Sequence, residues 1–257
     1  MVSFLSLSIV MEHADGGDLL QKIVSHHNKG QYLKEREIWD LFGQMASGLS
    51  KLHELGILHR DVKVWRNILQ SANFFLTRNG VVKIGDMNVS KIVRKEGMCE
   101  TQAGAPFYSS PEVWREEAYD YKSDIWSLGC VLYELINLKL PFRARDMEGL
   151  FKKVSRGYYS RINKSYSDDL SDVLKMLIQV SPKDRLNLSN WEVIEGTLME
   201  TSIWKNNVKR RFDFSEQSSL IKTIKMTKNI SYIGKSLPKP NYEPLKYRPL
   251  FMSQSSI

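Results

Sequence analysis

Residues 34–63, KEREIWDLFGQMASGLSKLHELGILHRDVK, decide the fold class. Ile38, Leu41, Phe42, Met45, Leu49 and Leu52 recur at steps of three or four, the repeat of a helix that buries one face. The spacing predicts a core helix from about Lys34 to Leu55, and Gly56 stands where such a helix stops. His59-Arg60-Asp61-Val62-Lys63 then falls in the loop that follows. Upstream, Leu7 to Met11 reads as a strand ending at the turn Asp15-Gly16-Gly17, and Asp18 caps a short helix to about His27, punctuated by Gly30. Downstream, Asn73–Thr77 and Val81–Ile84 flank Arg78-Asn79-Gly80, the signal of a hairpin. Polar sequence without periodicity runs on to Ser110. Helical patterns return at Lys122–Leu138, Met147–Arg156, Ser167–Gln179 and Ser189–Thr197. Strands early and helices late predict a mostly helical α+β body over residues 1–200. Residues 201–257, with Pro238, Pro240, Pro244 and Pro249 among Lys, Ser and Asn, read as an extended arm without its own core.

Composition narrows the function. With 42% hydrophobic and 26% charged residues in 257, the chain is neither disordered nor fibrous. Cys99 and Cys130 have no paired spacing, which excludes a disulfide framework and a four-thiolate metal site and suggests a cytoplasmic or nuclear protein. No apolar run reaches the roughly 18–20 residues of a membrane span. The start MVSFLSLSIVM lacks a positive n-region and runs directly into Glu12, His13 and Asp15, so it does not read as a signal peptide. The net charge of +8 lies wholly in the arm: Lys plus Arg against Asp plus Glu is 26 to 26 over residues 1–200 and 11 to 3 over 201–257. A neutral body argues against a nucleic-acid-binding fold, and the basic arm reads as a solvated extension whose partner the sequence does not name.

The loop at 59–63 and the segment Asp86-Met87-Asn88 carry the chemistry. Phosphoryl transfer needs a carboxylate to orient the attacking hydroxyl and take its proton, another to hold Mg²⁺, and cations on the phosphates. Asp61, Asp86 and Lys63 have those types. Singly each has a duller explanation as a turn residue or a solvated charge.

Their order among other motifs changes that reading. IVMEHADGGDL (9–19), HRDVK (59–63), KIGDMNVSK (83–91), GAPFYSSPE (104–112), SDIWSLGCVLYEL (123–135) and SPKDR (181–185) together resemble the protein kinase catalytic domain from its hinge onward. Within the kinases, MEHADGGDL, SPEVW and PFRARDMEGL look most like the NIMA-related serine/threonine family. The arm, with LPKPNYEP, looks like extensions in one branch of it. The implied fold is the mainly helical large lobe of a kinase, and the implied reaction is transfer of the ATP γ-phosphate, with Mg²⁺, to protein Ser/Thr hydroxyls.

The resemblance also assigns residues. Met11 would back the adenine pocket, backbone groups of Glu12 and Ala14 would bond the adenine edge, Asp18 would reach the ribose and Phe75 would form the floor. Asp61 would be the catalytic base, Lys63 would neutralise the transferring phosphate, and Asp86 would bind Mg²⁺. Thr101 stands where the family carries its activating phosphate, with Arg60 as partner. Glu112 and Arg185 would form a buried ion pair, and Asp124 would receive backbone donors from the catalytic loop. His26, His27 and His53 read as surface or helix-face residues.

Several positions depart from the pattern. Nothing before Val10 supplies a glycine-rich loop, the phosphate-gripping Lys or its Glu partner, so the small lobe is expected to be largely absent. Arg66 stands five residues after Asp61, where the family has a Mg²⁺-binding Asn. Asn67 lies 19 residues before Asp86 and Asn73 lies 13 before it, the family spacing, which favours Asn73. Removing Val64–Gln70 would restore HRDVKSANFFLT. Those seven residues are either a loop insertion, expected to misplace Lys63 or Asn73, or an in-frame intron left in the translation. Asn88 replaces a Gly, and Ala105 replaces a Thr whose hydroxyl would bond Asp61 and Lys63. These departures leave two alternatives beside the enzyme: an inactive binding module of pseudokinase type, or a chain completed by a small lobe in trans.

Overall fold

Asp18 opens the first helix, α1 (Leu19–Asn28), its carboxylate accepting from Gln21 N at 2.7 Å. The computed structural model describes residues 12–63, 73–87, 90–92 and 106–188, all in the first of two units, Met1–Lys209 and Arg210–Ile257. The strand expected at Leu7–Met11, the segment 64–70, the helix expected at Ser189–Thr197 and the arm 201–257 lie outside the described residues.

The apolar repeat becomes α2 (Glu35–Glu54), which buries Ile38, Leu41, Phe42, Met45 and Leu49 and is followed by Gly56 at φ 71°. Four short strands follow: β1 (Ile57–Leu58), β2 (Phe74–Leu76), β3 (Val82–Ile84) and β4 (Lys91–Ile92). β1 pairs with β4 and β2 with β3, both antiparallel, with Phe74 opposite Ile84 and Leu76 opposite Val82. The hairpin turn is a three-residue loop rather than the tight Asn-Gly type. Only Gly80 is left-handed, at φ 79°, and Thr77 N donates to Val81 O at 2.9 Å.

Four helices complete the described body: α3 (Pro111–Trp114), α4 (Lys122–Asn137), α5 (Met147–Arg156) and α6 (Asp168–Leu177). α4 is buried almost all round, from Ser123 to Ile136, as a helix must be when neighbours cover every face. α2 and α6 both pack on it. Gly129 makes the α6 contact feasible, since a Cβ there would come within 2.8 Å of Leu177 Cβ and Ile178 Cγ1. Trp126 stacks on Phe142 with ring centroids 5.4 Å apart.

Two expectations are corrected. α6 stops at Leu177 and not at Gln179, because the carbonyls of Gln179 and Val180 turn to accept from Arg185 at 2.6 and 3.1 Å. The stretch before Ser110 is not irregular throughout: residues Pro106–Tyr108 form a 3-10 turn, and α3 follows with Pro111 at its start. Prolines that open such short turns carry no periodicity to read.

Glu134, on α4, is buried and accepts from Tyr108 Oη at 2.5 Å. Burial pushes its carboxyl up to about 7, against the opposing pull of the Tyr108 hydrogen bond. A carboxyl raised on folding stabilises most below its ordinary value of 4.5, and that stability is lost as pH rises through about 7. Glu134→Gln is therefore expected to exceed wild type in urea-unfolding stability by roughly 1–3 kcal/mol at pH 8 and to match it near pH 5. Equal stability at pH 8 would show that the carboxyl ionises there without penalty.

Candidate active site

The loop after β1 is fastened to α4 through one carboxylate. Asp124 Oδ2 accepts from His59 N and Oδ1 from Arg60 N, both at 2.8 Å. These bonds hold Arg60 in left-handed backbone at φ 69°, a conformation costly for a residue with a Cβ. His53 lies on α2, a helix-face residue as one of the two readings had it. It is not a surface residue: its side chain is 10% exposed, with Nε2 3.0 Å from Asp124 Oδ2. Only the register of α2 against α4, invisible in a one-dimensional pattern, brings them together. His59 is fully buried, its Nε2 3.2 Å from Gly85 O, and Ser90 Oγ donates to its carbonyl at 3.1 Å. His26 Nδ1 lies 3.1 Å from Gln31 O at the end of α1.

Asp61 sits at the centre of a buried polar cluster. Lys63 Nζ donates to its Oδ2 at 2.5 Å, and Asn73 Nδ2 donates to its carbonyl at 2.6 Å and to Oδ2 at 3.1 Å. Lys63 and Asn73 are 2% and 0% exposed. Lys63 and Asn73 both reach Asp61, and Asn73 N donates to Lys63 O at 3.2 Å. From Asn73 the connection continues, since its carbonyl accepts from Gly85 N at 2.9 Å. Asp86 follows Gly85 directly, in left-handed backbone at φ 58°. Asn67 and Arg66 lie outside the described residues.

Two oxygens in this cluster have no hydrogen-bond partner among the described residues although buried, Asp61 Oδ1 and Asn73 Oδ1. An unmet buried acceptor is costly and marks a place for a donor or a cation. Among the described residues no three His, Cys, Asp or Glu side chains converge as a closed metal cage. An amide oxygen beside one carboxylate is instead the sparse hard-oxygen set that suits Mg²⁺, an ion that keeps waters and takes phosphate oxygens.

The chain before α1 is docked on the hairpin. Gly16 N donates to Leu76 O at 2.7 Å and Leu76 N to Gly17 O at 2.8 Å, and a Cβ on Gly16 would meet the Thr77 backbone at 2.6 Å. Asp18 bridges to Phe75, and the Phe75 ring lies against Gly85, where a Cβ would come within 2.8 Å. Asp18 thus serves as a helix cap through one oxygen, whatever else it reaches. Glu12 is exposed, with Oε1 3.1 Å from Lys83 Nζ, and Ala14 is half-buried. Met11, Thr101, Ala105 and Asn88 lie outside the described residues.

Glu112 and Arg185 are joined by two parallel hydrogen bonds, Nη1 donating to Oε1 at 2.5 Å and Nη2 to Oε2 at 2.6 Å. Burial alone would raise the Glu112 carboxyl, but the hydrogen bonds and charge of Arg185 together hold it below its ordinary value. Ser123 Oγ adds a donor at 2.8 Å, and the guanidinium lies 5.1 Å above the Trp126 ring. α3 is thereby fixed to the helical body.

The model of the protein kinase domain matches residues 3–194. The chain belongs to the protein kinase family. Among curated proteins it is 38% identical over 201 residues to serine/threonine-protein kinase Nek5 of Homo sapiens, covering 77% of this chain and 27% of that one. It is 39% identical to serine/threonine-protein kinase Nek1 of Mus musculus, over 72% and 15% of the two chains. A probable serine/threonine-protein kinase nek2 of Dictyostelium discoideum is 38% identical over 71% and 43%. These relatives agree with the NIMA-related resemblance. The kinase-like chain therefore spans less than half the length of each. Kinases of this family in general use ATP and Mg²⁺ and act on proteins. No described helix is long and apolar enough to cross a membrane.

Proposed function

We propose that this chain acts as a serine/threonine protein kinase, transferring the γ-phosphate of ATP to Ser or Thr hydroxyls of proteins. The observation that carries the reading is the Asp61–Lys63–Asn73 cluster with its two unsatisfied oxygens. In it, Asp61 is the base: the acceptor hydroxyl donates to the carboxylate and leaves its proton there. The Lys63 ammonium, already within reach of Asp61, balances the charge of the phosphate in transit. Asn73 and Asp86 are the metal-holding residues, and bound Mg²⁺ supplies neutralisation of the triphosphate. Met11, the backbone of Glu12 and Ala14, Asp18 and Phe75 bind the nucleoside. Thr101 is the activating phosphosite, read by Arg60, and the Glu112–Arg185 pair holds the substrate-side segment in place. The described residues correspond to the mainly helical large lobe, and no glycine-rich phosphate loop is among them. The cysteine pattern supports a cytoplasmic setting for this work.

Incubation with γ-labelled ATP, Mg²⁺ and a generic Ser/Thr-rich acceptor protein tests the reading. Label is expected on the acceptor and on Thr101. Asn73→Ala is expected to raise the Mg²⁺ concentration for half-maximal rate by roughly 10–100-fold, as loss of metal-site groups does. Magnesium-dependent nucleotide binding without any transfer would replace the enzyme with the binding module, and absence of both would reject the site.

A further inference from the structure

Behind α3, on the side of the body where Arg185 is anchored, lies an open groove of about 670 Å³ that the kinase reading does not use. Its rim carries Arg115 just after α3, Arg156 at the end of α5 and Lys175 on α6, against one acid, Asp184. Both arginines are exposed, and neither has a carboxylate partner among the described residues. Lys175 has only the surface pair with Asp172, 60% and 62% exposed, a contact that contributes little. The floor is different in character. Ile178 is buried, and Val180 and Tyr159 are half-buried. Gly157 keeps the floor close to α5, since a Cβ there would meet Val180 Cγ2 at 2.6 Å.

We propose that this groove is a docking surface for an acidic segment of a partner protein, one in which Asp or Glu residues alternate with aliphatic ones. Three cations on three separate elements match carboxylates spread along an extended chain better than they match one compact anion. The apolar floor between them takes the aliphatic side chains. Forked guanidiniums suit carboxylates and are depleted of competing acids here. A bound segment also touches the loop whose Gln179 and Val180 carbonyls hold Arg185, so docking bears on the Glu112 lock from behind.

Fluorescence anisotropy with the full chain tests this. The probe is a labelled peptide of alternating Glu and Leu, compared with its Gln counterpart and with inorganic phosphate as competitor. The Glu peptide is expected to bind and to weaken with salt. The double variant Arg115→Glu/Arg156→Glu is expected to lose roughly tenfold or more in affinity, with thermal unfolding unchanged. Arg115→Gln/Arg156→Gln is expected to lose less. Unchanged affinity in the Glu variant, as binding to the basic arm would give, overturns the proposal. So does equal binding of the Gln peptide, or full displacement by phosphate without preference for the Glu peptide.

Discussion

Arg185→Ala is expected to lower the free energy of unfolding by about 3–5 kcal/mol, because it leaves the buried Glu112 carboxylate without its cation. The guanidinium does more than pair. It donates to Gln179 O at 2.6 Å, to Val180 O at 3.1 Å and to Lys122 O at 2.9 Å, and it covers the Trp126 ring. All of these partners stay buried or half-buried when it goes. The Glu112 carboxyl is held below its ordinary 4.5 on folding, so its contribution is full above that value and is lost as pH falls through the lowered one. Wild type is therefore expected to lose stability on acidification in this window, and Arg185→Ala to show a flatter profile. Glu112→Leu/Arg185→Met, which removes both charges at similar volume, is expected to recover much of the loss. Urea unfolding at pH 7 measures all three proteins. A deficit under about 1 kcal/mol for Arg185→Ala would mean that the pair contributes no more than an exposed one.

Asp61→Asn is expected to lower the transfer rate by roughly 10²–10⁴-fold while nucleotide affinity changes little, since an amide cannot accept the hydroxyl proton. The substitution is nearly isosteric, and its carbonyl can still accept from Lys63 Nζ and Asn73 Nδ2, which now reach Oδ2 at 2.5 and 3.1 Å. Its unfolding midpoint should therefore stay close to that of wild type. Single-turnover measurements with labelled ATP separate the two effects. Wild-type transfer by a folded Asp61→Asn protein would remove Asp61 from the role of base and leave it as a scaffold for its two neighbours.

The helices were readable wherever one face is buried. α2 and α5 match their apolar repeats within a residue at each end, because period and caps are local properties. α4 was placed equally well, although its burial all round comes from α2 and α6 and not from its own pattern. Asp61, Lys63, Asn73 and Asp86 were legible as residue types in a motif order. The spacing from Asp86 favoured Asn73, but that Asn73 bonds back to Asp61 and Lys63 across a gap in sequence is a tertiary contact that no spacing contains. The inward contact of His53 was not legible, because its partner Asp124 lies 71 positions away. Glu134 gave no signal at all, since one acid within an apolar helix reads as its polar edge until Tyr108 is seen above it. The basic groove is assembled from two arginines and a lysine in three unrelated segments, each of which looks like ordinary surface charge.

Lys63 O and Asn73 N lie 3.2 Å apart, so the nine intervening positions, 64–72, start and finish at the same place. A chain that leaves and returns through one hydrogen bond transmits little of its own length to what lies below it. Doubling such an excursion costs only about 0.6 kcal/mol in closure entropy. A tag or reporter peptide spliced between Lys63 and Asn73 is therefore expected to leave the Asp61–Lys63–Asn73 hydrogen bonds in place.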